Sequence, residues 1–143
     1  MKKILIVDDN PIICKIYRER FSQAGFQVEV AENGFLAMKA LMSVRPDIVL
    51  LDLMMPIMHG VDVLRYVRAT PELKATPVII LSEAYNSDLA LEAAKIGAEL
   101  TLLKSGCTPA ILIDAVNKIL SGEPLGMDLS QMLAVGHKKP EGG

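Results

Sequence analysis

Short apolar runs alternate with helical stripes along the whole of this chain. Ile4-Leu5-Ile6-Val7 carries no polar alternation, the mark of a strand buried on both faces. Asn10-Pro11 then opens a helix, with Asn10 as N-cap and Pro11 at the first helical position. Its apolar stripe is Ile13, Ile16, Tyr17 and Phe21, and Gly25 is placed to end it. Residues 26–30 predict a second strand. Asn33-Gly34 starts a second helix with the stripe Ala37, Ala40, Leu41 and Val44, stopped by Arg45-Pro46.

The same rhythm continues. Residues 47–51 predict the third strand, followed by a loop rich in Met and Pro and a helix over 61–68. Residues 77–81 predict the fourth strand. Ser87-Asp88 begins a helix carried by Leu89, Ala93 and Ile96 and closed at Gly97. Residues 100–103 predict the fifth strand, and Thr108-Pro109 caps a helix with Leu112, Ala115, Val116 and Ile119 on one side. Five strand-then-helix units mean an α/β fold, a doubly wound parallel sheet with helices on both faces. The texture changes after Leu120: Ser121-Gly122-Glu123-Pro124 breaks the pattern. Leu125, Leu129, Met132 and Leu133 are then spaced like one short amphipathic helix, a docking segment or linker. The end, 137–143, reads as loose and polar.

Composition narrows the class. The 143 residues are 51% hydrophobic and 22% charged, which describes one globular domain rather than a disordered chain. A net charge of −2 offers no basic footprint for nucleic acid. No stretch approaches the roughly 20 apolar residues that a bilayer span needs, so no membrane partner is expected. The two cysteines, Cys14 and Cys107, form no disulfide framework and no CxxC, which fits a reducing cytoplasm. Cys107 stands just before a helix start, where a lowered thiol pKa is one expectation. His59 reads as a solvent-facing loop residue, and Lys2, Lys3, Arg18 and Arg20 as solvated charge.

Chemistry is to be sought just after each strand, since ligands of an open parallel sheet bind beyond the carboxyl ends of its strands. Strand one is followed by Asp8 and Asp9, strand three by Asp52, strand four by Ser82 and strand five by Lys104. Asp8 and Asp9 alone would also suit a strand-ending turn. Three carboxylates, a hydroxyl and an ammonium on one rim are a more specific pattern. Clustered carboxylates repel, and a hard divalent cation relieves them; an all-oxygen set with few protein ligands suits Mg²⁺. A carboxylate left free to attack phosphorus gives a reactive acyl phosphate. Mg²⁺ and Lys104 would neutralise charge, and Ser82 would hydrogen-bond a phosphoryl oxygen. Met54, Met55 and Met58 lack Cys or His neighbours and read as packing or as an exposed apolar loop.

These residues resemble the receiver family of two-component signalling. Residues 4–11 are similar to its opening strand and acidic pair, and Asp52-Leu53-Met54-Met55-Pro56-Ile57-Met58-His59-Gly60 to its Asp-x-x-Met-Pro-x-Met-x-Gly loop. Leu81-Ser82, Leu103-Lys104 and Gly97-Ala98 stand where the family has its hydroxyl, its lysine and the turn before strand five. The resemblance implies a flavodoxin-like (βα)5 domain over 1–120, strand order 2-1-3-4-5, with 121–143 as a tail. It implies Asp52 as acceptor and Mg²⁺ held by Asp8, Asp9, Asp52 and the Met54 main-chain carbonyl. It also implies a sensor histidine kinase or phosphotransfer protein as donor, signalling by protein–protein interaction, and a homodimer through the helix 4–strand 5–helix 5 face.

Three positions depart from the family. Thr101 stands three before the lysine, where Tyr or Phe is usual; Ser105 follows the lysine in place of Pro; Glu83 follows the hydroxyl in place of a small residue. These keep a second reading open, a pseudo-receiver that binds a partner constitutively. A third is a phosphatase with an aspartyl intermediate. Its usual acidic partner, two residues after the nucleophile, is Met54 here, and no substrate-capping insertion is visible. No GxGxxG or GxxxxGK[ST] occurs, which removes dinucleotide and P-loop chemistry. No helix-turn-helix is present, so output is expected through a partner or through sequence beyond residue 143.

Overall fold

Local chemistry sets the element ends. In a computed structural model, which describes residues 1–83 and 88–123, β1 (Lys3–Val7) leads into α1 (Pro11–Gln23). The Asn10 side chain accepts from the N–H groups of Ile12 and Ile13, two donors the first turn would otherwise leave unpaired. β2 (Gln27–Ala31) follows, then α2 (Gly34–Val44), capped by Asn33 and ended by Arg45 in a left-handed conformation at φ 52°. β3 (Ile48–Asp52), α3 (Gly60–Ala69), β4 (Val78–Ser82) and α4 (Asp88–Ile96) continue the alternation. β5 (Leu100–Leu103) runs into a single 3-10 turn, Lys104–Gly106, and α5 (Pro109–Ser121) is the last described element, with Thr108 as N-cap and Gly122 as left-handed C-cap.

The five strands are all parallel, in the order β2-β1-β3-β4-β5. This is the expected doubly wound order. Successive side chains of a strand point to opposite faces, and in β1, β3 and β4 both sets are mainly apolar. Leu5, Val7, Val49, Leu51, Val78 and Ile80 pack with residues of α2, α3 and α4. Ile4, Ile6, Ile48, Leu50, Ile79, Leu81 and Leu102 pack with Tyr17 and Phe21 of α1 and with Leu112, Ala115 and Val116 of α5. Two cores therefore share one sheet, and the apolar runs of β1, β3 and β4 are explained by burial on both sides.

Several expectations are corrected in detail. β2, β3 and β4 each begin and end one residue later than the hydrophobic pattern places them, because pairing rather than polarity sets strand ends. Ile16 is 42% exposed; the buried face of α1 is Cys14, Tyr17 and Phe21, and Ile16 lies on the opposite flank with Ile12. α4 buries Ala90 and Ala93, with Leu89 and Ile96 only partly covered. Lys3 is half-buried, and its ammonium donates to the Val44 carbonyl at 3.3 Å rather than standing in solvent. The proposed tail helix falls outside the described residues, as does Ser87.

α3 and α4 are tied at two levels. Arg65 pairs with Glu92. Below it the Arg68 guanidinium donates to the carbonyls of Thr76 (2.7 Å), Lys74 (3.2 Å) and Gly97 (2.8 and 3.2 Å) and to the Glu99 carboxylate (3.2 Å). One side chain thus satisfies the loop before β4 and the turn before β5. Among the described residues, no helix is long and apolar enough to cross a membrane.

Candidate functional site

The rim at the carboxyl ends of the strands gathers the expected residues. Asp8 and Asp9 follow β1, Asp52 and Ser82 are the last residues of β3 and β4, and Lys104 opens the turn after β5. In register, Asp52 stands beside Leu81, and Ser82 beside Leu103, so the strand ends lie at a common height. Carboxylate oxygens of Asp8, Asp9 and Asp52 all lie within 4.8 Å of one another. Asp8, Asp52 and Ser82 are buried and Asp9 is exposed. The Lys104 ammonium sits 3.2 Å from Asp8 Oδ2 and 3.3 Å from Asp52 Oδ1.

Asp8 is held from three sides. Its N–H donates to the Ala31 carbonyl (3.1 Å), its carbonyl accepts from the Cys14 thiol (3.2 Å), and its Oδ1 accepts the Asn10 N–H (2.9 Å). Oδ2 is buried with no hydrogen bond assigned to it, and the Lys104 ammonium stands beside it as an ion pair. Asp52 accepts the Met54 N–H at 3.3 Å.

Electrostatics follow from this crowding. Burial and the neighbouring Asp8 push the Asp52 carboxyl up to about 6, although Lys104 pulls the other way. Burial alone would lower the Lys104 ammonium, but Asp52 and Asp8 outweigh it and hold it above its ordinary value. The site therefore holds more negative charge than Lys104 balances. A divalent cation fits it: the donors are all hard oxygens, and one buried carboxylate oxygen has no hydrogen-bond partner.

The remaining expected residues are placed as follows. The Met54 and His59 side chains are exposed, Met55 is buried and Met58 half-buried, so that loop divides between packing and solvent. Glu83 is exposed beside Ser82; Thr101 is half-buried in β5 opposite Ile80; Ser105 lies in the 3-10 turn. A lowered thiol at Cys107, one option at a helix start, does not arise: burial pushes it up to about 11. Both cysteines are free. Two contributors escaped sequence reasoning. The Cys14 thiol touches the Asp8 backbone from a helix position that carries no sequence signal. Gly60 was visible only as a motif letter, yet a Cβ there would stand 2.3 Å from the Asp52 carbonyl oxygen.

Comparison with known proteins agrees with this geometry. The family model of the response regulator receiver domain matches residues 4–117. The chain is 31% identical over 120 residues to the chemotaxis protein CheY of Thermotoga maritima, covering 82% of this chain and 97% of that protein. It is 34% identical over 98 residues to the regulatory protein AtoC of Escherichia coli, covering 68% of this chain but spanning only 21% of AtoC. The solved structure of chemotaxis protein CheY4 of Vibrio cholerae superposes with a TM-score of 0.76 at 29% identity, over 83% of this chain and 98% of that one.

Proposed function

The chain belongs to the response-regulator receiver family of two-component signalling, and from that premise we propose that Asp52 accepts a phosphoryl group in a Mg²⁺-dependent reaction. The observation that carries this reading is the buried Asp52 carboxylate, 3.3 Å from the Lys104 ammonium and clustered with Asp8 and Asp9. A carboxylate oxygen of Asp52 forms the new O–P bond as the N–P bond of a donor phosphohistidine breaks. The imidazole nitrogen leaves with the electron pair and takes a proton from water. Lys104 is close enough to Asp52 to meet a phosphoryl oxygen on the product, and the Ser82 hydroxyl would donate to another. Asp8, Asp9, Asp52 and the Met54 carbonyl would hold Mg²⁺, which when bound neutralises phosphoryl charge.

In this reading the receiver domain spans 1–120, and 121–143 is a linker or docking segment. The donor is a sensor histidine kinase or phosphotransfer protein in the cytoplasm, and the output is protein–protein interaction, with a homodimer through α4, β5 and α5 as one form. The chain is a regulatory phosphoacceptor rather than a turnover enzyme. Thr101 has too little area to act as a rotating aromatic ring, so read-out falls to Ser82 and the segment that follows it. Incubation with Mg²⁺ and acetyl phosphate is expected to add one hydroxylamine-labile phosphoryl group, absent from Asp52→Asn. Label that persists in that variant, mapped to another residue, overturns the assignment.

A further inference from the structure

We infer that Cys14 is a positioning residue of the acidic pair: its thiol, by donating to the Asp8 carbonyl, fixes the peptide unit that joins Asp8 to Asp9. This rests on the reading of Asp8 and Asp9 as metal ligands. Cys14 lies one turn into α1 and is buried, with Sγ 3.2 Å from the Asp8 carbonyl oxygen. A thiol has one weak S–H donor, and the contact distance lets it reach that carbonyl.

The geometry gives this bond a purpose beyond packing. The strand ladder ends at Asp8, whose N–H donates to Ala31 while its Oδ1 takes the Asn10 N–H. The Asp8 carbonyl belongs to the next peptide plane, the one that carries the Asp9 N–H and sets where the Asp9 side chain begins. A buried carbonyl needs a partner, and the thiol supplies one from inside the helix. With the N–H, carbonyl and Oδ1 of Asp8 engaged, Oδ2 is the oxygen left to face the cluster, and it is the one without a hydrogen bond. Asp9 has no such support of its own, being exposed. Its placement relative to Asp8 and Asp52 therefore depends on the orientation of that peptide.

Three variants test this. Cys14→Ser keeps a donor, Cys14→Val removes it while filling similar space, and Cys14→Ala removes it with less bulk. Mg²⁺ dissociation constants are read by titration of amide resonances, and metal-free spectra report the Asp9 N–H itself. Cys14→Val and Cys14→Ala are expected to weaken Mg²⁺ binding about threefold to tenfold, the scale of one weak hydrogen bond lost to a buried acceptor. The Asp9 amide should move in both metal-free proteins, with Cys14→Ser staying within about twofold of wild type on the same scale. Wild-type affinity and an unmoved Asp9 amide in whichever of the two donor-free variants folds overturn the inference alone. Failure of wild-type protein to bind Mg²⁺ at all overturns the metal reading on which it rests.

Discussion

Gly60 begins α3 against the backbone of Asp52: a Cβ on Gly60 would stand 2.3 Å from the Asp52 carbonyl oxygen and 2.9 Å from Leu53 Cα. The Gly60 N–H also donates to the Leu53 carbonyl at 3.0 Å. The proposed acceptor is thus held by a helix start that only a residue without a side chain can bring so close.

Gly60→Ala is expected to cost about 1–3 kcal/mol, because the clash is with backbone that cannot swing aside. It should also slow acetyl phosphate labelling of Asp52. Gly106→Ala is the control: nothing lies within 4 Å of a Cβ there, and a change within about 0.5 kcal/mol is expected. Denaturant midpoints of the two variants provide the check, and equal costs would contradict the close-approach argument.

Asp52 makes stability depend on pH in the metal-free protein. Its carboxyl rises to about 6 on folding, so the folded chain binds that proton more tightly than the unfolded chain does. Ionised Asp52 therefore opposes folding. The opposition is absent below the unfolded value near 4, grows between about pH 4 and 6, and is complete at neutral pH. Asp52→Asn should stabilise the protein in EDTA at pH 7.5 by on the order of 1–3 kcal/mol, and hardly at all at pH 4. Melting curves at both pH values decide; equal gains would place the cause elsewhere.

Ile57 is a β-branched residue at φ 71°, a left-handed conformation that suits glycine. Its side chain is 80% exposed, so burial offsets little of the strain. Ile57→Gly should stabilise by about 0.5–1 kcal/mol after the extra chain entropy of glycine is subtracted. A destabilised variant would mean that the side chain contributes contacts of its own.

Glu83 follows Ser82 directly in sequence and is exposed. A carboxylate about 7 Å from a doubly charged phosphoryl group would, at the dielectric of water and low salt, repel it by roughly 1 kcal/mol, about a fivefold effect on rate. Glu83→Ala is expected to take phosphate from a small donor several-fold faster at low salt, with the gain shrinking at high salt and Mg²⁺ affinity unchanged. Equal rates at every ionic strength would show that the exposed side chain stays clear of the phosphoryl group.

The alternation of elements and the residues that end the strands were legible because both rest on periodicity and chain order. Apolar runs buried on both faces at Ile4–Val7 and Ile48–Leu51 admit one topology class, and that class directs attention to Asp8, Asp9, Asp52, Ser82 and Lys104. What could not be read are contacts between residues with no periodic relation. The Cys14 thiol meets Asp8 only because α1 folds back over β1, and Arg68 meets Gly97 across 29 positions of sequence. Cys107 stayed open for the same reason: proximity to a helix start is visible in sequence, while the burial that raises its thiol is not. Ile16 shows the limit of a stripe drawn from apolar letters, since the helix buries the flank carrying Cys14 instead.

The guanidinium of Arg68 anchors the chain where α4 ends, and Arg65 ties the helix again at Glu92. The C-terminal end of α4 is moored to α3 and to the loop before β4 through Gly97, while its Asp88 end sits on the side of Ser82. On the proposed reading, a disturbance at the rim is expected to reach the Asp88 end of α4 more readily than its anchored end, so its effect should fall off along the helix. Amide exchange compared with and without beryllofluoride should change most near Asp88 and least at Gly97, and Arg68→Met should even out that gradient by releasing the mooring.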